Sequence, residues 1–434
     1  MKSINREILR LSVPNILSNI VIPLAGMVDV AIMGHLNSSL YIGAIALGAM
    51  IFNFIYWGFG FLRMSTTGFT AQAYGSASRE DMVRILGQAS LMALSAAGLL
   101  LLLQKPIGML AFELIKGSTE VEQQAMRYFL VRIWAAPATL MLYVLYGWFI
   151  GMQNSIIPAI IAIVVSIVNA VGSYLLVFSF GMKADGVALG TVIAQYTGLL
   201  LAFLFFLVRY RNMLPFPPVR QLIRHEALAS LMRVNRDIFI RTLALIAVMT
   251  FFTSRSAHYG TDLLAANTLL FQFFIFFSYF IDGFAYAGEA LTGRFIGMKN
   301  PVQLRVMLRK LFGWGALLSL VFTLVYLLPG KHLPALLTNH EATILATKPY
   351  LFWTILIPAV SFAAFLWDGV YIGATAGAPM RNVMVVAAAV IFFPAYFLLD
   401  PLMGNHALWL ALILFLAARS LGMTILAGRV LKKG

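Results

Sequence analysis

LSVPNILSNIVIPLAGMVDVAIMG, Leu11 to Gly34, carries a single ionisable side chain, Asp29, and two prolines, Pro14 and Pro23. About 20 apolar residues cross the hydrocarbon of a bilayer, so the stretch reads as a membrane span. An acid at the centre of such a span costs roughly 2.5–3.5 kcal/mol on insertion scales. A chain that carries this cost has a use for it. Asp29 therefore reads as a proton- or cation-binding group, and the chain around it as a transporter. Each proline leaves a carbonyl one turn back without its helical donor, Arg10 for Pro14 and Asn19 for Pro23. Two weak points beside a titratable acid make the first helix one that bends, coupling protonation to shape.

The rest of the chain repeats the apolar pattern. Of 434 residues, 61% are hydrophobic and 11% charged, against about 25% charged in a soluble domain. Apolar runs punctuated by polar, Gly or Pro residues predict twelve spans. They cover 11–34, 41–72, 80–104, 121–150, 155–178, 185–209, 236–258, 262–293, 304–328, 345–373, 379–399 and 405–430. The predicted class is an all-α integral membrane protein. No small-residue cleavage site follows the first run, so a retained span is expected rather than a signal peptide. With no cysteine, disulfides, thiolate metal sites and cysteine nucleophiles are excluded. The net charge of +15 calls for no nucleic-acid partner, because the basic residues sit at span ends.

Those basic residues set an orientation. With the N-terminus in the cytoplasm, the inner segments hold 21 Lys and Arg and the outer segments 6. The inner set includes Lys2, Lys432, Lys433 and the seven arginines from Arg209 to Arg241. The outer set is Lys105, Lys116, Lys183, Arg255, Lys331 and Lys348. The positive-inside rule then predicts both termini in the cytoplasm. A bacterial inner (plasma) membrane and a monomer are expected.

The longest polar break, around RYRNMLPFPPVRQLIRHE, follows span six. It predicts two pseudo-symmetric six-helix lobes, 1–210 and 236–434, joined by a cytoplasmic linker, 211–235. GFTAQAYGSAS (68–78) ends span two and ALTGRFIGMKN (290–300) ends span eight, 222 residues later, which reads as a duplication. Six spans per copy make it a parallel repeat about an axis along the membrane normal. Such bundles bind substrate near the midplane and alternate access.

Asp29 is the only acid among the polar groups within first-lobe spans, and Arg63 the arginine noted there. Asn169 and Thr191 fall in spans five and six, where Asn and Thr usually act as interhelical hydrogen-bond donors and acceptors. Met27, Met33, Tyr143 and Trp148 are candidate lining for apolar cations. The second lobe carries Arg255, Asp282, Glu289 and Asp368 in or near spans. Asp282 and Glu289 share a helical face. These groups form either an ion-paired lock or a second cation or substrate site. Arg419 within span twelve requires an acid from among the three.

No Walker-type loop, zinc motif or Ser/His/Asp set is present, so neither ATP hydrolysis nor enzymatic catalysis is expected. No cofactor is required beyond an ion gradient. One charge moved through 100 mV supplies about 2.3 kcal/mol, roughly a fifty-fold concentration ratio.

The first span, with VNRDIFIRT, FIDGFAYAGEALTGRFIG, LWDGVYIGATAGAPMRN and GNHALWLAL, resembles the multidrug and toxic compound extrusion (MATE) family, in its DinF (DNA-damage-inducible protein F) branch. The resemblance runs over the whole chain. It implies a twelve-helix antiporter that exports drugs or metabolites in exchange for protons or sodium. It also implies a first-lobe cation site, whose positions fall here on Asp29, Asn169, Ser173 and Thr191. Ser173 stands where the family pattern has a second Asp. One carboxylate with three neutral groups favours proton coupling through Asp29 over sodium. An acid near Asp368 belongs to a second-lobe cation site in other branches, which keeps sodium coupling through Asp282, Glu289 and Asp368 as an alternative. A third reading is a lipid-linked-sugar flippase; the single arginine near the first-lobe cavity argues against a polyanionic substrate.

Overall fold

The computed structural model describes residues 3–35, 39–114, 118–215, 217–223, 225–328 and 332–431. Lys2, Lys116, Arg224, Lys331, Lys432 and Lys433 of the charge pattern lie outside the described residues. Among the described residues, twelve helices are long and apolar enough to cross a membrane. They are α1 Ile4–Gly34, α2 Leu40–Gly75, α3 Arg79–Leu102, α4 Thr119–Gly151, α5 Ile156–Phe178, α6 Ala184–Arg209, α7 His225–His258, α8 Thr261–Gly297, α9 Pro301–Leu327, α10 Glu341–Gly373, α11 Gly377–Met403 and α12 Asn405–Val430. Among the described residues there is no strand.

These bounds follow the hydropathy closely, except that α1 and α7 start earlier, at Ile4 and His225 rather than at 11 and 236. Helix α7 begins at His225, where the sequence reading placed a linker to residue 235. Its first turns, HEALASLMR, are helix formers that are too polar to register as a span. They continue the helix beyond the apolar run.

The chain forms two compact units, Leu17–Ser230 and Met1–Ile16 with Leu231–Gly434. The first sixteen residues therefore group with the second unit, not with the lobe that follows them in sequence. Two contacts explain this. Glu7 pairs with Arg294 at 3.2 Å. Gly283 leaves no room for a side chain, since a Cβ there would lie 2.9 Å from the Ser12 carbonyl and 2.3 Å from Ile16 Cγ1.

Each unit is built on one plan, repeated in detail. Ala77 and Lys299, 222 residues apart, both take positive φ (55° and 51°) in the turns after α2 and α8. Gln153 and Thr375, again 222 apart, do the same after α4 and α10 (61° and 52°). In each turn the next residue's N–H reaches back to a carbonyl five residues earlier: Ser78 to Ala73, Asn154 to Phe149, Asn300 to Phe295 and Ala376 to Tyr371, at 2.9–3.0 Å. This is the Schellman closure of a helix end. Four such ends in matching register are the signature of a duplicated fold.

The same offset governs the helix crossings. Small residues let membrane helices approach closely, and α4 and α10 carry GWFIG (147–151) and GVYIG (369–373). A Cβ on Gly147 would lie 2.3 Å from the Arg63 carbonyl, and one on Gly369 2.1 Å from that of Ala285. Gly151 and Gly373 meet Thr70 and Thr292 in the same way. Trp148, read from the sequence as candidate lining, is fully buried and donates to the Met82 carbonyl at 2.9 Å, so it is core.

Candidate functional site

Asp29 lies on the part of α1 that belongs to the first unit. It is only 9% exposed, although Met27 and Val30 on the same helix are 66% and 45% exposed. The carboxyl thus turns inward while its neighbours face outward. Ser173 and Asn169 of α5 face it. Asn169 Nδ2 donates to Thr191 Oγ1 of α6 at 3.0 Å, and the Thr191 hydroxyl donates to the Val187 carbonyl one turn back. Asp29 Oδ1 and Ser173 Oγ are both buried and neither has a partner in hydrogen-bond geometry, although Ser173 and Asn169 lie near enough to the carboxyl to act on it. An acid with one oxygen unclaimed, beside a hydroxyl with its proton unclaimed, is a group held ready to gain or lose a proton or cation.

The geometry that assembles Asn169, Ser173 and Thr191 comes from two glycines. Gly172 and Gly190 bring α5 and α6 into contact. A Cβ on Gly190 would sit 2.7 Å from Ser173 Oγ and 2.8 Å from its backbone nitrogen. Gly190→Ala is therefore expected to push the two helices apart, break the Asn169–Thr191 bond and cost roughly 1–3 kcal/mol of overpacking. Thermal unfolding of the purified chain, paired with transport in vesicles, checks this. Native stability with native transport would show that the crossing is not what aligns the site.

The first unit's spans hold a further arginine that the sequence pattern does not single out. Arg132, on α4, is half-buried. Its charge acts on Asp29, Tyr128 and Tyr56. Its guanidinium donates to the Tyr128 hydroxyl and lies 4.8 Å from the centre of the Phe52 ring and 5.4 Å from that of Tyr128. Such cation–π placement favours a desolvated guanidinium. Phe52 in turn stacks on Tyr56 and Phe129. Arg63 is thus not the only arginine among the first unit's spans.

In the second unit the acids separate. Asp368 of α10 is buried and bound by two guanidiniums, Arg419 of α12 at 2.8 Å and Arg241 of α7. Arg419 has the acid partner that its position requires. Arg241, counted from sequence with the cytoplasmic arginines, is instead buried. Asp282 of α8 acts electrostatically on Arg419. Glu289 is fully buried on α8, where its backbone carbonyl meets Gly373. Arg255 does not join these acids. It sits among the rings of Phe251, Tyr396 and Phe397, at 5.7, 5.4 and 6.0 Å, and makes no ion pair among the described residues.

A sequence profile of the MatE family matches the chain twice, over residues 14–175 and 238–398. The two matches fall one in each half, as the repeated turns and crossings require. The chain belongs to the MATE family. DNA damage-inducible protein F of Escherichia coli (strain K12) is 39% identical over 447 residues, spanning 100% of this chain and 94% of that protein. Human multidrug and toxin extrusion protein 1 is 28% identical over 211 residues, 46% of this chain and 35% of that protein. The Vibrio cholerae MATE transporter VcmN in its bent form superimposes with a TM-score of 0.88 at 18% identity, covering 99% of this chain and 98% of that one. As a MATE protein the chain is a multi-pass membrane transporter of the multidrug and toxin extrusion type, and not an enzyme.

Proposed function

We propose that this MATE transporter exports amphipathic, cationic organic compounds in exchange for protons, by alternating access, with Asp29 as the protonation switch. The observation that carries the reading is the Asp29 carboxyl, buried with one oxygen unclaimed and faced by Ser173 and by Asn169, which Thr191 holds in turn. When ionised, Asp29 attracts a cationic substrate to a site rich in aromatic rings. When protonated, it loses that attraction and the substrate leaves.

Pro14 and Pro23 supply the flexibility that a protonation-dependent α1 needs. The bent form of VcmN is a precedent for shape change in such a bundle. Sodium coupling through the second-unit acids is the weaker reading, because two guanidiniums of the chain already hold Asp368. The setting is a bacterial inner membrane with both termini cytoplasmic, the transporter acting as a monomer without nucleic acid.

The test is substrate-triggered ion flux in proteoliposomes under separately imposed proton and sodium gradients. Export driven by the proton gradient alone is expected. Export that requires sodium and ignores the proton gradient would overturn the reading.

A further inference from the structure

His406 stands in the first turn of α12, and the reading of Asp29 does not use it. Trp353 of α10 donates its indole N–H to His406 Nδ1 at 3.0 Å, and the centre of the Tyr350 ring lies 4.6 Å from that of the imidazole. An indole N–H can only donate. His406 Nδ1 must therefore offer a lone pair, which fixes the ring as neutral with its proton on Nε2. A second proton can go only to Nδ1, where it removes the lone pair and sets one N–H against another. A proton breaks this bond.

The two helices are not equally free to respond. The start of α12 is pinned on α8, where the buried Asn267 and Asn405 exchange side-chain hydrogen bonds at 2.7 and 3.0 Å. Trp409 donates to the same Asn267 oxygen at 2.9 Å. By contrast α10 is soft at this level. Lys348–Tyr350 forms a 3-10 turn within it, a feature that often marks a hinge. Pro358 lies inside the helix and leaves the Thr354 carbonyl without its helical donor. Trp353 sits between these two points. At this end of the helices about His406 the charged and titratable groups include Glu341 and Lys348 of α10, Asp262 of α8 and His258 of α7, all exposed. Arg255 of α7 sits among its rings, and Asp400 of α11 accepts from the Tyr259 hydroxyl. His406 makes no ion pair among the described residues.

We propose that His406 is a second proton-binding site of this transporter, at which proton uptake releases Trp353 and frees the first turns of α10 to bend between the 3-10 turn and Pro358. The imidazolium so formed turns to the Tyr350 ring, a cation–π partner already beside it. Imidazole suits such a site, because it is the side-chain group that ordinarily changes charge between about pH 5 and 8. With both termini cytoplasmic, this end of α10 and α12 faces outside, so His406 samples the side from which protons enter. The bond and its response to a proton do not depend on that orientation, nor on Asp29.

The chain has no cysteine, so spin labels can be placed singly. Cysteines replacing the exposed Leu345 of α10 and Leu402 of α11 carry them. Their separation is measured by pulsed electron paramagnetic resonance on the purified full chain in lipid nanodiscs, at about pH 8 and about pH 5. A second separation is expected to gain at least about fivefold in population at the lower pH, the ratio that loss of one ordinary hydrogen bond gives. His406→Gln keeps an acceptor for the indole but takes no proton, and should hold the high-pH separation throughout. Trp353→Phe removes the donor and should show the second separation already at the higher pH. A native pair that ignores pH, or a His406→Gln chain that keeps the full response, would overturn the proposal. Tryptophan emission reads the bond with His406 left native. An imidazolium quenches a neighbouring indole, so the emission of the native chain less that of Trp353→Phe should fall on acidification, and a flat difference would overturn the proposal too. Asp29→Asn should leave the response intact; its loss there would assign the response to Asp29 and not to His406. The Asp29 reading fails separately, on proton flux.

Discussion

Asp29→Asn is expected to reduce substrate-triggered proton flux from acid-loaded inverted vesicles to the level of empty vesicles. The physical case is unusually clean, because the substitution removes a proton-binding oxygen and almost nothing else. Asn has the shape of Asp, and the Oδ1 that it would alter has no partner in hydrogen-bond geometry in the folded chain. The Asn169–Thr191 bond beside it is independent of the carboxyl. The variant should therefore insert, purify and unfold much as the native chain does, so that a loss of flux reports chemistry. The size of the loss follows from thermodynamics. In electroneutral exchange of one proton for one monovalent cation, each unit of pH difference supplies about 1.4 kcal/mol and sustains about a tenfold cation gradient. Native vesicles should approach that ratio and Asp29→Asn vesicles should show none. An Asn variant that still accumulates substrate would move the coupling to another group.

The fold was legible because membrane spans announce themselves residue by residue. Hydropathy needs no tertiary information, and α12 runs from Asn405 to Val430 as the apolar run does. The duplication was visible in one matched pair of span ends; the two GxxxG strings that position α4 and α10 were also there to be read. The site was less legible, because its members meet only through packing. Asn169 and Thr191 lie 22 residues apart, on helices joined by a Gly172–Gly190 crossing that no spacing rule predicts. The family resemblance brought them forward; periodicity did not. Arg132 ends the run TEVEQQAMRYFLVR (119–132), inside the predicted span 121–150, and nothing in that run's spacing singles it out. Arg241 follows a string of cytoplasmic arginines and was grouped with them. Its burial depends on Asp368, 127 residues later in the chain.

That burial gives the second large effect. Asp368→Asn is expected to cost about 3–5 kcal/mol of stability, the usual result of removing one partner from a buried ion pair and leaving the other uncompensated. Here it strands two guanidiniums. Arg241 and Arg419 approach the same Asp368 oxygen, Oδ2, and both would remain buried. Thermal unfolding of the purified chain checks the loss. Adding Arg419→Met should restore part of it, because one stranded guanidinium is removed and only Arg241 is left uncompensated, and interacting sites are not additive. The same variant separates the lock from a sodium site. If Asp368 bound sodium, its Asn variant would lose sodium-dependent transport while keeping its stability. A lock predicts the reverse, a less stable chain whose surviving molecules still exchange protons through Asp29. The repeat makes that division of labour intelligible. Asp368 corresponds, at the 222-residue offset, to Tyr146, and Asp29 to Phe251. The two units share a backbone but placed their acids on different helices. One acid is held by two arginines, while the other keeps an oxygen free.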